Sequence, residues 1–282
     1  MLGFNHIPLQ GVSVVSNGNC PSSHYYSYFA DSDGFWLVNR DGSNLRRMTT
    51  FELEKPAWSP DGKWIAFCNN GQIWKMPFDG VDFDTTRIYQ LTSDSADHFF
   101  PSWSAAGDSI FFDSDEDDVN RSFQVHKMAA DGTGQINIGN KGPDSIFSSE
   151  PYCTPANQIL HIRGDSISNH VYTMDALGDH VRQLTFNISP NIYIHNPRSF
   201  GSKVYFEDHG VWSSNLDGSD LQVIALYSTQ GFSVARDGTI AYVNLELYDN
   251  SPGSVIDRTH GVVWIMGPDG SNKRQLTFNR NY

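Results

Sequence analysis

A phrase of about nine residues occurs six times along this chain of 282 residues, and no other feature constrains the fold as strongly. Each copy is a short, largely apolar run that closes on a turn, usually Asp-Gly. The closing glycines run from Gly42 to Gly270 in five steps of about 46 residues. The copies are GFWLVNRDG (34–42), QIWKMPFDG (72–80), QVHKMAADG (124–132), HVYTMDALG (170–178), GVWSSNLDG (210–218) and VVWIMGPDG (262–270). This spacing predicts an array of near-equivalent structural units.

Each unit holds four segments with the pattern of a β-strand. In the second unit they are PAWS, KWIAFC, QIWKMP and RIYQLT, within residues 56–92. Pro-Asp-Gly and Asp-Gly turns close tight hairpins between such segments, because Gly readily accepts a positive φ. A four-stranded unit with a period of about 40 to 45 residues is typical of a β-propeller blade. Helical repeats of similar period would place apolar residues at i, i+3 and i+4, and these segments do not.

The four segments of a unit differ in polarity, which predicts their places in a blade. The second segment is apolar on both faces, as expected for a strand buried between two neighbouring blades. The fourth is more polar and fits the outer edge. The first unit also has an innermost strand, because GVSVVSNG (11–18) matches GFSVARDG (231–238).

We therefore predict one all-β domain, a six-bladed β-propeller with four antiparallel strands per blade, closed without strand exchange between the termini. Residues 1–10 are the candidate clasp between the first and last blades. The predicted blades cover approximately residues 1–55, 56–100, 101–150, 151–196, 197–229 and 230–282.

The charge of the chain argues against several kinds of partner. The formal net charge is −13 and the pI is about 5.0, so the protein would repel nucleic-acid phosphates and anionic lipid headgroups.

No apolar run is long enough to span a bilayer, and residues 1–15 lack the pattern of an export signal. Three widely spaced cysteines indicate neither a disulfide framework nor a zinc site. We expect a monomer with no nucleic-acid partner and no membrane insertion.

The second and third units resemble a known repeat. The stretch PAWSPDGKWIAFCNNGQIWKMPFDG (56–80), followed by QLTSDSADHFFPSWS (90–104), resembles the PD40 (WD40-like) repeat of TolB-like propellers and of dipeptidyl-peptidase IV-like enzymes. The resemblance extends over nearly the whole chain. The G-x-S-x-G nucleophile elbow of those peptidases is absent from the sequence. The resemblance implies a propeller in the periplasm or outside the cell that binds a protein or peptide.

One face of the predicted blades is the candidate binding surface. Loops that join the second strand to the third, and one blade to the next, lie on this face, whereas the tight Asp-Gly turns lie on the other. Variable loops on a rigid scaffold are a common place for binding sites. Polar residues on this face precede the innermost strands. The predicted ligand-binding residues are Glu54, His98, Glu150, His195 and Gln230.

Three histidines suggest a metal site at the mouth of the central channel. His6, His98 and His195 fall in the first, third and fifth predicted blades, and alternate blades of a sixfold ring are related by a third of a turn. Imidazole nitrogens that converge to about 2.0 Å from one point would hold a divalent transition metal. The alternative is that these are ordinary polar loop residues, and the sequence leaves both open.

An acidic segment at 113–118 is a candidate calcium site. It contains Asp113, Asp115, Glu116, Asp117 and Asp118, and carboxylate oxygens are the ligands that calcium prefers. The spacing of an EF-hand loop is absent. A solvated acidic hairpin is the alternative, because blocks of like charge normally stay hydrated.

Two functions follow from these observations. The first is a non-enzymatic binding module that holds a protein segment at the loop face and channel mouth, and no catalytic residue is assigned. The second is a metal-assisted, carbohydrate-active enzyme that resembles oligogalacturonate lyase and has a His-lined central site. In such an enzyme Arg163, Arg198 or Arg258 would hold an acidic sugar. The absence of a catalytic motif favours binding over catalysis.

Overall fold

The computed structural model describes residues 34–116, 122–139, 147–164, 168–186, 194–226, 231–245 and 261–277. These residues form 22 β-strands, and none of them is assigned to a helix. The predicted all-β class is therefore confirmed. Across the described ranges we find no helix with the length and apolarity needed to cross a bilayer.

The strands follow one another closely in chain order. The first ten are β1 (Trp36–Leu37), β2 (Arg46–Arg47), β3 (Glu54–Trp58), β4 (Trp64–Asn69), β5 (Gln72–Pro77), β6 (Tyr89–Gln90), β7 (His98–Trp103), β8 (Ser109–Ser114), β9 (Gln124–Ala129) and β10 (Ile136–Asn137). The others are β11 (Phe147–Cys153), β12 (Gln158–Gly164), β13 (Asn169–Asp175), β14 (Arg182–Gln183), β15 (His195–Phe200), β16 (Lys203–Glu207), β17 (Gly210–Asn215), β18 (Gln222–Leu226), β19 (Phe232–Val234), β20 (Ile240–Leu245), β21 (Gly261–Met266) and β22 (Arg274–Gln275).

Consecutive strands form four-stranded sheets, the arrangement predicted for each blade. The sheets are β3 to β6, β7 to β10, β11 to β14, β15 to β18 and β19 to β22, and β1 pairs with β2 in a two-stranded sheet. The described residues thus hold five complete sheets, whereas we predicted six. The difference arises in the first repeat, because residues 1–33, which include its predicted innermost strand at 11–18, lie outside the described residues.

The chain divides into two compact parts, each larger than a sequence repeat, which we call unit 1 and unit 2. Unit 1 comprises Met1–Glu52, His209–Trp212 and Val223–Tyr282, and unit 2 comprises Leu53–Asp208 and Ser213–Gln222. The predicted blade boundaries stay predictions.

In unit 2, alternate residues of a second strand pack on opposite neighbouring sheets. Ile110 and Phe112 of β8 join a buried cluster with Ile73 of the preceding sheet. Phe111, which lies between them, joins a cluster with Ile159 of the following sheet. Successive side chains of a strand point to opposite faces, so both faces of the middle strand are buried, as predicted. Full burial of each such side chain contributes about 1.5 to 3 kcal/mol.

In unit 2, the glycine that closes each of three tight turns packs against the backbone of the preceding sheet. At each position a Cβ atom would meet a carbonyl oxygen of the preceding fourth strand or of the residue next to it, closer than real Cβ atoms approach. The three contacts are Gly132 with Leu91, Gly178 with Ile138 and Gly218 with Leu184, at 2.8, 2.2 and 2.7 Å. The repeated glycine therefore serves the stacking of sheets as well as the turn.

In unit 1, the β1–β2 sheet packs against the last sheet in a similar way. A Cβ atom on Gly42 would lie 3.0 Å from the carbonyl oxygen of Leu276, and Val38 joins a buried cluster with Val263 and Leu276. The guanidinium of Arg40 pairs with Asp237. Among the described residues, the first and last repeats thus meet through side-chain packing and polar contacts, and closure without strand exchange between the termini stays a prediction. Residues 1–10, the predicted clasp, lie outside that part of the chain.

Candidate functional site

The first strand of each of four consecutive sheets in unit 2 carries a β-bulge. Within each bulge, the residue before a proline has a positive φ, which costs a non-glycine residue about 1 to 2 kcal/mol. A bulge changes the direction in which its side chains point. The four residues are Lys55 (φ 49°), Phe100 (52°), Glu150 (54°) and Asn196 (56°).

The bulges of successive sheets contact one another, because β3, β7, β11 and β15 pack side by side. The Nζ atom of Lys55 lies 4.5 Å from the centroid of the Phe100 ring. The backbone N–H of Asn196 donates to the Glu150 carboxylate. Charged side chains from neighbouring sheets therefore meet here. We call Lys55, Glu150, His195 and Arg198 the inner-strand cluster.

Glu150 and His195 form the central pair of the cluster. The Nδ1–H of His195 donates to Oε1 of Glu150 over 2.8 Å. Glu150 is buried, whereas 36% of the His195 side chain is exposed. Burial opposes ionisation of Glu150, but the hydrogen bond and charge of His195 and the charge of Lys55 outweigh it and lower the pKa. Burial acts to lower the pKa of His195, but the hydrogen bond and charge of Glu150 outweigh that effect and raise it.

The pairing also fixes the tautomer of His195. An ionised carboxylate only accepts hydrogen bonds, so Nδ1 carries the proton, and in the neutral imidazole Nε2 is available as an acceptor. Among the described residues, the one side-chain hydrogen bond of His195 is that to Glu150. A metal-binding or proton-transferring histidine is commonly oriented by a carboxylate in this way.

Asp113 supports the bulge at Glu150 from the neighbouring sheet. Its two oxygens lie 2.9 and 3.1 Å from the backbone nitrogen of Glu150, which donates to them. Burial raises the pKa of Asp113 well above its ordinary value, and the charge of Glu150 adds to the increase. Asp113 lies within β8 and is 2% exposed, so it is part of the sheet and not of a solvated loop.

The remaining acidic segment is divided between different partners. Oδ1 of Asp115 accepts the backbone N–H of Asp97 over 2.9 Å. Asp117 and Asp118 lie outside the described residues. Asp113 and Asp115 thus bind backbone groups at two different residues, and the calcium site at 113–118 stays a prediction.

Lys55 and Arg198 bring positive charge to the cluster. Burial lowers the pKa of both groups, although the charges of Glu150 and Glu207 oppose the decrease. The guanidinium carbon of Arg198 lies 5.0 Å from the centroid of the Tyr152 ring, a distance at which cation and ring attract each other. Both cations are therefore held against aromatic rings.

No family model and no curated protein matches the sequence. Among solved structures, TolB of Acinetobacter baumannii has a TM-score of 0.63 at 19% identity, covering 83% of this chain and 57% of that chain. A protein assigned as TolB from Agrobacterium tumefaciens has a TM-score of 0.65 at 18% identity, covering 85% and 86%. Oligogalacturonate lyase of Vibrio parahaemolyticus has a TM-score of 0.53 at 8% identity, covering 86% and 70%.

The fold is a TolB-like β-propeller. The likeness extends over most of the chain, and the four-stranded antiparallel sheets are the blades of that fold. At these identities the likeness shows the fold alone. The chain spans 57% of the A. baumannii TolB chain.

Four of the predicted ligand-binding residues of this propeller lie within the described ranges, three of them at or beside the inner-strand cluster and one elsewhere. Glu54 lies on β3 beside Lys55, and Glu150 and His195 are in direct contact. His98 is fully buried, and its Nε2 lies 2.8 Å from Oδ1 of Asp94.

His6 and Gln230 lie outside the described residues of the propeller. Within the described ranges, no group of three or more His, Cys, Asp or Glu side chains is arranged to hold a metal ion. Because His6 is not among those residues, the three-histidine set stays a prediction.

Sequence analysis missed Lys55 as a member of the propeller's cluster and considered Arg198 only as a possible sugar-binding group. The signal for Lys55 was its position directly before Pro56. Each of the four bulge residues precedes a proline, and a residue before proline is restricted in conformation. Alignment on the prolines would have grouped Lys55 with Glu150 and Asn196.

Proposed function

We propose that this protein is a non-enzymatic binding propeller that holds an extended segment of a partner protein at the inner-strand cluster. The Glu150–His195 pair carries the proposal. Glu150 is buried, and His195 is partly exposed with Nε2 available to a ligand. Glu54, Gln230 and His195 would contact the segment, and Glu150 would orient His195. His98 would act indirectly, because its side chain is fully buried.

The energetics of the cluster support a functional role. A buried ion pair is weak evidence for stability, because desolvation opposes the Coulomb attraction. Positive φ values at four non-glycine residues add strain at the same place. Strained backbone and perturbed pKa values both concentrate at functional sites. Their coincidence in the inner-strand cluster therefore favours binding there.

A displayed library of random dodecapeptides tests the proposal. Peptides enriched on the wild-type protein are measured by calorimetry against His195→Asn and Glu54→Gln. We expect each substitution to weaken binding by about 10-fold, or about 1.4 kcal/mol. The matched control is His180→Asn, because His180 is exposed and pairs with Asp175 over 2.8 Å outside the cluster. Failure to enrich any peptide, or equal affinities for all variants, would contradict the proposal.

A metal-assisted enzyme that acts on an acidic sugar is the second candidate. The observation in its favour is that Glu150 orients His195 as a carboxylate orients a metal ligand or general base. His195 would be one ligand of the metal, whereas His98, the second predicted ligand, is fully buried and pairs with Asp94. Elemental analysis, with an absorbance assay for unsaturated products from oligogalacturonate, tests it. A stoichiometric metal, together with activity that is lost in His195→Asn, would favour the enzyme. The absence of both the metal and the activity would reject it.

We also propose export and a monomeric state, with a protein or peptide as partner and a carbohydrate as the alternative. Export rests on the resemblance of the repeats to TolB-like propellers. Cell fractionation tests the compartment, and light scattering of the purified protein tests the monomer.

A further inference from the structure

The guanidinium of Arg198 is half-buried and makes few polar contacts within the protein. Its Nη1 donates to the carbonyl oxygen of Pro197 over 2.8 Å. Within the described part of the chain, no ion pair to a carboxylate accompanies that bond. A guanidinium has five N–H donors, so most of the hydrogen-bonding capacity of Arg198 is unused in the described contacts.

Glu150, a carboxylate whose charge acts on Arg198, already accepts two hydrogen bonds from other groups. Oε1 of Glu150 accepts the Nδ1–H of His195, and Oε2 accepts the backbone N–H of Asn196. Glu150 therefore acts on Arg198 through its charge and not through a direct ion pair.

Arg198, Lys55 and His195 share one electrostatic environment. Glu150 and Glu207 both act on each of the three groups. All three groups lie on the first strands of the side-by-side sheets of unit 2, Lys55 on β3 and His195 and Arg198 on β15. The guanidinium carbon of Arg198 lies 5.0 Å from the centroid of the Tyr152 ring, and this contact restricts the side chain and so reduces the entropy that a ligand would have to overcome.

We propose that Arg198 is a carboxylate-binding subsite that takes a glutamate or aspartate side chain of the partner segment. This inference rests on the proposed function. The guanidinium would hold the carboxylate through two parallel N–H···O bonds, the geometry for which arginine is suited. Lys55 would add positive charge from the bulge of β3, and Nε2 of the neutral His195 imidazole would accept a hydrogen bond from the segment.

The test uses two capped tripeptides, acetyl-Ala-Glu-Ala-amide and acetyl-Ala-Gln-Ala-amide, in NMR titrations of the whole protein at low salt. We expect the glutamate peptide to saturate shifts at Arg198, with an affinity about 10-fold or more above that of the glutamine peptide. Arg198→Gln should remove that preference. Arg198→Lys should keep part of it, because the charge remains and the paired donors do not. Arg182→Gln, an exposed arginine on β14, is the control and should change nothing.

Each outcome supports the subsite or overturns it. Equal binding of the two tripeptides, or a glutamate preference that survives in Arg198→Gln, overturns it. Thermal melting of Arg198→Gln and Arg198→Lys checks that both variants fold. If Arg198→Gln does not fold, a glutamate preference that is undiminished in Arg198→Lys overturns the subsite, and a reduced preference supports it. The peptide library separates this inference from the proposed function. Enriched peptides without acidic residues that bind Arg198→Gln normally would reject the subsite alone, and tripeptide binding with no enriched peptide would reject the proposed function alone.

Discussion

The imidazole of His195 and the carboxylate of Glu150 join the first strands of two neighbouring sheets through one hydrogen bond of 2.8 Å. Their side chains meet because a bulge interrupts each strand just before a proline. The same carboxylate accepts the backbone N–H of Asn196, so one buried group links the two bulges and orients the histidine.

Glu150→Gln should destabilise the protein by about 1 to 3 kcal/mol, because it removes the charge that His195 and Asn196 contact. The size of the side chain is retained, so a large cavity does not form. Urea unfolding at pH 6 measures the loss. Asp175→Asn removes the carboxylate of an exposed histidine pair and should cause little change. Equal effects of the two substitutions would contradict the role given to Glu150.

The contribution of the Glu150–His195 pair should depend on pH. The pKa of His195 is raised above its ordinary value of 6.5, so its contribution is complete below 6.5 and is lost as pH rises through the folded-state pKa. The pKa of Glu150 is lowered below 4.5, so its contribution is complete above 4.5 and is lost as pH falls through the folded-state pKa. The difference in unfolding free energy between wild type and His195→Asn should therefore be largest between pH 4.5 and 6.5. A difference that is constant from pH 4 to 9 would contradict the pairing.

His161 should make the protein sensitive to acid. It is fully buried, its Nδ1 lies 2.7 Å from Oγ of Ser148, and burial lowers its pKa to about 3. The neutral form is favoured in the folded state, so the stability from this group is complete above pH 6.5 and is lost as pH falls from 6.5 toward 3. The full shift corresponds to about 5 kcal/mol at most. Urea unfolding of His161→Phe should show a weaker loss over that range than wild type, and parallel curves would reject the assignment.

Two glycine substitutions separate sheet stacking from turn geometry. Gly178→Ala and Gly80→Ala both place a side chain at positive φ, at 82° and 100°. A Cβ atom at Gly178 would lie 2.2 Å from the carbonyl oxygen of Ile138, whereas nothing lies within 4 Å of one at Gly80. Gly178→Ala should therefore cost about 2 kcal/mol more than Gly80→Ala in thermal or urea unfolding. Equal costs would mean that the turn alone requires the glycine.

Much of the fold could be predicted from the repeated turns. In the Asp-Gly-Thr turn at 131–133, Oδ1 of Asp131 accepts the backbone N–H and the hydroxyl of Thr133. Thr92, in the Leu-Thr ending of a fourth strand, accepts the backbone N–H of Ile73 over 2.9 Å. Both contacts are local or join adjacent strands, so the residues that make them recur at fixed spacing and are visible in the sequence.

The site was only partly predictable, because its contacts join different sheets. His195 lies two residues before Pro197, whereas His98 lies three before Pro101. Successive side chains of a strand alternate between faces, and a bulge shifts that alternation by one residue. His98 consequently pairs with Asp94 and packs on Phe112. The offset from histidine to proline indicates on which face of the strand the imidazole lies. That relation depends on the positive φ before the proline, which residue types alone do not predict.

An NMR titration of the His195 imidazole, without and with a saturating library-selected peptide, tests the central claim most directly. The account predicts a pKa above 6.5 in the free protein, a protonated Nδ1, and a change in the Nε2 resonance when the peptide binds. A pKa below 6.5, or an Nε2 resonance that does not change at saturation, would contradict it.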